Sequence, residues 1–473
     1  MSRPEKKPKF SHPGDQNHNE DGVADLPNDE SPPKIFKLNI DCYDEIFEYL
    51  GVKDLHSFGQ TCKRMNKVAG EYFKQNHSSA EKFCEKDGIY TVYSDKDGVI
   101  DERIQTSGFN KFMPCISINY RYDSTRSWGP LKYIESHISE FESTKHIYLS
   151  KLCIYNETVK HFKQFLPQLE ILQHRNCGMI GDFYDLILKH CMNLREIYFQ
   201  NSAADINGKL NWLLQEYPKL ERLELIPHEC YQCEELRNFF VRNPNVQRFS
   251  TTRKFLWNNS DIFLNSNAKL DIFELKGFYY STRPWQMSKF PVELLNQLHK
   301  QGFYKRLYIY TNWVDDAFST ALASLKGLEL LSVRRLSKSN NLAQLTNLRE
   351  LILKCGSSAT DGAMDMGILA NGLTKLERLY IKKGTIDDIM PFIRRSPKLN
   401  KIKFIPPHFW MRGNFNLTML NEERAKLAGA RKIIFYTRDD VFLATKWTTR
   451  NGDTNLSHIE IRRSDSLEWN HHY

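Results

Sequence analysis

Few residues of this 473-residue chain have the types and spacing for chemistry. In HECYQC, His228, Cys230 and Cys233 place an imidazole and two thiols within reach of one zinc ion. A structural zinc site takes four such ligands and no fourth is at hand, so no metal is expected there. In YSDKDGVIDERI, Asp95, Asp97, Gly98 and Ile100 follow calcium-loop spacing, but Tyr93 and Ile104 stand where that loop needs carboxylates. A turn between strands is the better reading. The chain has no phosphate-cradling P-loop, no dinucleotide fingerprint, no HExxH pair and no GxSxG elbow. Histidines and carboxylates are plentiful, yet none stands at a catalytic spacing. The sequence therefore predicts a non-catalytic chain with no metal and no cofactor. What it holds, and with which elements, becomes the question.

Composition narrows the answer. A hydrophobic fraction of 41% with 12% aromatics is ample for a core, and the charges are mixed in sign. The net charge of +9 favours acidic partners weakly and names none. No apolar run approaches the roughly 18 residues of a membrane span, so no membrane partner is expected. The opening MSRPEKKPKF lacks the apolar segment of a secretory signal, so the ten scattered cysteines are expected to be reduced thiols in the cytoplasm, the nucleus or both. The sequon Asn416-Leu-Thr418 then stays unglycosylated. Residues 1–34, with few apolar groups and several prolines, are expected to be a disordered tail. Within it, Lys6-Lys7-Pro8-Lys9 reads as a solvated charge cluster or an import signal.

At Ile35 the pattern changes. Tyr43, Ile46, Phe47 and Leu50 recur at i, i+3, i+4 and i+7, the spacing of an amphipathic helix, with Asn39 or Asp41 placed to cap it. Gly51 is expected to end that helix, and Asp54 to cap a second carrying Leu55, Phe58 and Cys62. Met65, Val68, Ala69, Tyr72 and Phe73 continue the apolar face through a third. Three short helices in residues 35–80 lie near the lower limit for a domain that folds unaided.

Downstream, one unit recurs: an apolar residue, two variable ones, an apolar one, one variable, another apolar. It reads QLEIL, NLREIYF, KLERLEL, NVQRFS and KLDIFEL, then GLELLSV, NLRELIL, KLERLYI and KLNKIKF. The first five copies, at Leu169, Leu194, Leu220, Val246 and Leu270, lie 24 to 26 residues apart. Helix-like segments such as FYDLILKHC and ELRNFFVRN fall between copies. That period marks leucine-rich repeats, each a short strand with a helical return. No repeat buries its own apolar side, so the units must stack. The expected α/β architecture is a three-helix N-terminal element followed by a curved solenoid, with parallel strands on its concave face and helices on its convex face. Its boundaries are 81–140 for a linker or atypical cap, in which MPCISINYR supplies a first strand, 141–440 for the repeats, and 441–473 for a C-terminal cap and tail.

Leu38, EIFEYL, KDL and CKRM together resemble the F-box, and NCGMIGDFYDLILKHCMNLREIYF resembles the cysteine-containing leucine-rich repeats of F-box proteins. Residues 35–440 thus resemble the F-box/leucine-rich-repeat family. That family usually has proline where Asn39 stands and tryptophan where Met65 stands. The resemblance implies a substrate-recognition subunit of a cullin-RING ubiquitin ligase. Leu38, Ile46, Phe47, Leu50, Leu55, Cys62 and Met65 would dock a Skp-type adaptor that bridges to a cullin. The solenoid would hold a protein substrate. The rival readings are a repeat scaffold without the ligase and an enzyme whose site spans the repeats.

Alternate strand residues should face the concave side. In the early copies these mix Arg175, Arg222, Arg248 and Lys276 with Glu196, Glu224 and Glu274. In the later copies Arg306, Tyr308, Arg334, Lys354, Arg378, Tyr380, Lys382, Lys401 and Lys403 fall there, with Tyr310, Lys432 and Tyr436, opposed by Glu350. Such a face suits an acidic or phosphorylated protein segment through charge-assisted bonds. The solubility of repeat surfaces is the alternative use for those cations. Nucleic acid is not expected, because the basic excess is modest and no binding motif accompanies it.

Overall fold

The computed structural model describes residues 34–77, 80–85, 88–95, 99–104, 108–119, 129–200, 210–227, 232–277, 290–336, 340–354, 365–407, 415–449 and 452–463. The N-terminal tail, the His228–Cys230 part of HECYQC and the tip of the calcium-like loop lie outside them.

Three helices open the chain: α1 (Ile40–Phe47), α2 (Val52–Gly59) and α3 (Lys63–Asn76). The Asn39 side-chain oxygen accepts the Cys42 N–H at 2.9 Å and so caps α1. Gly51 does not end α1, which stops at Phe47; its extended backbone is instead the N-cap of α2, with Asp54 in the first turn.

A ladder of fifteen parallel strands follows, running from Ala80–Glu85 through Cys115–Asn119 to Ile459–Arg463. The LxxLxL spacing sends every second strand residue to the same side, and the ladder stacks them into continuous rows. One row runs Ile116, Ile147, Leu172, Ile197, Leu223, Phe249, Phe273, Leu307. Another runs Leu351, Leu379, Ile402, Phe435, Ile461. A bulge between Leu307 and Tyr308 shifts the register between the two halves. Returns in the early repeats are short, such as Leu188–His190 and Asn211–Leu214; later ones are full helices, such as Ile386–Arg395 and Asp439–Thr448. FYDLILKHC accordingly forms a single helical turn, Phe183–Leu186, and a 3-10 turn rather than one helix. ELRNFFVRN forms the helix Glu235–Arg242.

Before the repeats, Ala80–Glu85, Gly88–Asp95 and Val99–Ile104 pair antiparallel, and Ala80–Glu85 also joins Cys115–Asn119 in parallel. At the other end the ladder runs past residue 440 to Arg463.

Helices α1–α3 touch both ends of this ladder. At the N-terminal end the His56 ring lies 4.0 Å from that of Phe109, and Asn66 donates to the Gly108 carbonyl at 2.9 Å. Phe112 approaches Gly70 so closely that a Cβ there would sit 2.0 Å from the ring, which leaves room only for glycine. At the C-terminal end Arg463 donates to the Tyr72 hydroxyl at 2.6 Å and to the Leu50 carbonyl at 2.9 Å. The first and last strands are therefore joined through the same three helices.

Candidate functional site

The helical element presents two kinds of apolar side chain. Tyr43, Phe47, Phe58 and Tyr72 form an aromatic cluster with ring centroids 5.2 to 6.3 Å apart. Val52, Leu55, Met65, Ala69 and Phe73 complete its interior. Of the seven residues expected to meet an adaptor, Phe47, Leu55 and Met65 are buried in this interior and build the platform. Leu38, Leu50 and Cys62 are half-buried at its rim, and Ile46 is 37% exposed. Ile40, not singled out from sequence, is 60% exposed on α1. Its signal was available, since Ile40 stands beside the capping residue at i, i+3 and i+7 with Tyr43 and Phe47, on the same helical stripe.

The seam between helices and sheet buries three basic groups. Burial, and secondarily the charge of Lys82, lowers His56 to about 4. Burial, followed by the charges of Arg463 and His56, holds His77 well below the usual range. Lys82, whose ammonium lies 5.9 Å from the Tyr133 ring centre, is lowered by burial to about 8.

On the concave face the early repeats form a closed ion network. Glu274 is fully buried, with Arg222 donating at 3.0 Å and Arg248 and Ser250 also bound to it. Burial by itself would raise its carboxyl; Arg222, Arg248, Lys276 and the Ser250 hydroxyl outweigh that and hold it at about 2. Lys276 pairs with Glu224, and the Arg222 guanidinium lies 4.7 Å over the Tyr198 ring. Of the mixed charges read from these repeats, Arg222, Arg248 and Lys276 thus pair with Glu196, Glu224 and Glu274.

The later repeats differ. Tyr308, Leu330, Ile352, Tyr380, Ile405 and Tyr436 form a buried apolar stripe of their own. Cations lie across it: Lys403 at 5.5 Å from the Tyr380 ring and Lys401 at 5.8 Å from that of Tyr436. Arg306 pairs with Asp271, and Arg378 lies 3.8 Å from Glu350. Lys382 is buried, Lys354 half-buried, and Arg334 exposed. The nine residues expected on this face therefore lie along one ladder, in environments from buried to open. The aliphatic members Leu330, Ile352 and Ile405 and the partner Asp271 were missed. Leu330 and Ile352 occupy the alternate positions within LELLSV and RELIL, where the period-two rule could have found them.

Comparison with known proteins identifies the helical element. The family model described as F-box domain matches residues 35–72, which are an F-box domain. A leucine-rich-repeat protein of Leptospira interrogans aligns at 14% identity over 63% of this chain and 86% of that one, with a TM-score of 0.20. The solenoid assignment rests on the strand ladder itself. A search of curated proteins found no match.

Proposed function

We propose that the chain is a non-catalytic substrate-recognition subunit of a cullin-RING ubiquitin ligase. The observation that carries this reading is an F-box domain, with Ile40 and Ile46 exposed on its first helix, joined to a fifteen-strand repeat ladder. In this reading the F-box docks a Skp-type adaptor that bridges to a cullin. The concave face of the later repeats holds a protein substrate for ubiquitination. An acidic or phosphorylated segment would suit Arg334, Arg378, Lys401 and Lys403, with Tyr308, Tyr380 and Lys382 as the floor beneath them. Cytoplasmic or nuclear residence fits eight free cysteines among the described residues and no helix there long and apolar enough to cross a membrane.

Burying one aliphatic side chain contributes roughly 1.5–3 kcal/mol, so two truncations on a docking face cost a complex most of its affinity. Wild-type chain should capture recombinant Skp-type adaptor and cullin, and the double change Ile46→Ala, Leu50→Ala should lower capture at least about tenfold. A wild-type chain that recovers neither protein would leave the repeat scaffold without ligase association as the reading. Charge reversal at Arg378 and Lys403 probes the other face. Retention of acidic and phosphorylated peptides from a synthetic array should drop, and unchanged retention would remove the concave face as an anion-binding surface.

A further inference from the structure

Among the described residues, nine large apolar side chains are exposed. Ile180, Met192, Val241, Trp257 and Ile368 are spread along the solenoid, away from the F-box residues that match the family model. Ile35, Ile40 and Ile46 belong to the F-box, and Trp447, 68% exposed, comes from the C-terminal helix Asp439–Thr448. Trp447 stands against the F-box as well: its ring meets Tyr49 edge-on at 5.4 Å. Tyr49 follows Ile46 within one turn, its N–H donating to the Ile46 carbonyl at 3.0 Å. Trp447 is therefore seated on Tyr49, which stands one turn past the exposed Ile46, at the edge of the F-box and about four hundred positions away in sequence.

The attachment beneath that surface is specific. The last carbonyls of a helix and its following turn lack intrahelical donors and need them from elsewhere. Here Arg463 supplies them, donating to the carbonyls of Glu48 at 3.2 Å and Leu50 at 2.9 Å. It is itself held by Asp439 and donates to the Tyr72 hydroxyl of α3. Lys446 pairs with Glu48 and lays its ammonium 4.5 Å over the Tyr49 ring. The C-terminal helix buries Val441, Phe442, Thr445 and Lys446 in the fold, while Trp447 meets Tyr49 with one edge and leaves most of its indole in solvent. Large aromatics in such positions are typical anchors of protein interfaces.

We propose that the docking module is bipartite: the three F-box helices and the last repeat together form the surface that receives the Skp-type adaptor, with Trp447 as an anchor. This rests on the adaptor-docking reading above and is argued from the seating of Trp447 on Tyr49, one turn past Ile46, and from the attachment of the last repeat to the end of α1 by Arg463 and Lys446. The partner's contribution is an apolar side chain that closes over the indole beside Ile46.

The test uses the full chain and purified Skp-type adaptor, titrated against wild type, Ile46→Ala and Trp447→Ala. Trp447→Ala should leave the thermal transition unchanged, because the side chain is mostly in solvent, and should weaken adaptor binding about tenfold. Bound adaptor should also slow amide exchange across residues 439–449 of the wild-type chain. If Trp447→Ala binds as wild type does, or more tightly, while Ile46→Ala weakens binding, the bipartite surface is overturned and the adaptor reading stands. If wild type itself does not bind the adaptor, both fall.

Discussion

Phe47 and its neighbour Ile46 show how little separates a core residue from a contact residue. Both lie on one amphipathic stripe, yet Phe47 is fully buried among Tyr43, Phe58 and Tyr72 while Ile46 meets solvent. Deleting a buried phenyl ring leaves a cavity that its neighbours fill only in part. Phe47→Ala should therefore cost about 3–5 kcal/mol, read from urea unfolding of the N-terminal helices. Ile46→Ala, at a partly covered side chain, should move the same transition by only about 1 kcal/mol, while still affecting capture of a partner. Equal effects of the two changes on stability would mean that Ile46 is core. Asn39 gains a role at this scale too. Where the related motif carries proline, its side chain caps α1, a contribution of about 1 kcal/mol.

Among elements, the seam between α2–α3 and the start of the sheet is sensitive to pH. His56 has a folded value near 4 against an ordinary 6.5, so the unfolded chain binds the extra proton between those values. Stability due to His56 is then fully present above about pH 6.5 and is lost as pH falls toward 4, by up to about 3 kcal/mol. His77, shifted in the same direction, adds to the loss. Thermal unfolding followed from pH 7 to pH 4 should show the N-terminal helices loosening first, and His56→Phe should flatten that profile. A profile unchanged by the substitution would place the acid sensitivity elsewhere. The two halves of the concave face are also an element-scale contrast. One is a closed ion network around Glu274 and the other an apolar stripe crossed by lysines, with the bulge at Leu307–Tyr308 at their junction.

For the molecule as a whole, an open solenoid would leave its two ends independent, each repeat touching only its neighbours. Here the ends share the F-box, through Phe109 and Phe112 on one side and Arg463 and Lys446 on the other. Arg463→Ala should therefore raise amide exchange in α1 and in the strand Ile459–Arg463 together, with the central strand Leu270–Lys276 unaffected. Loss of protection confined to the last strand would show that the ends are not coupled.

The repeat architecture was legible because its cause is local. Leucines at fixed intervals make strands with one apolar face, and an apolar face of that kind has no stable arrangement except stacking on the next. The three helices were legible for the same reason, in the i, i+3, i+4 spacing of Tyr43, Ile46 and Phe47. That spacing says which residues share a face and not what the face meets, so the interior place of Phe47, Leu55 and Met65 and the open place of Ile40 came from packing. The concave pairings followed the same limit. Arg306 with Asp271 and Arg378 with Glu350 depend on which strands lie side by side and in what register. Farthest from the sequence was the contact of Arg463 and Trp447 with the F-box. It arises from the accumulated curvature of the whole ladder, a sum of small rotations that no single repeat encodes.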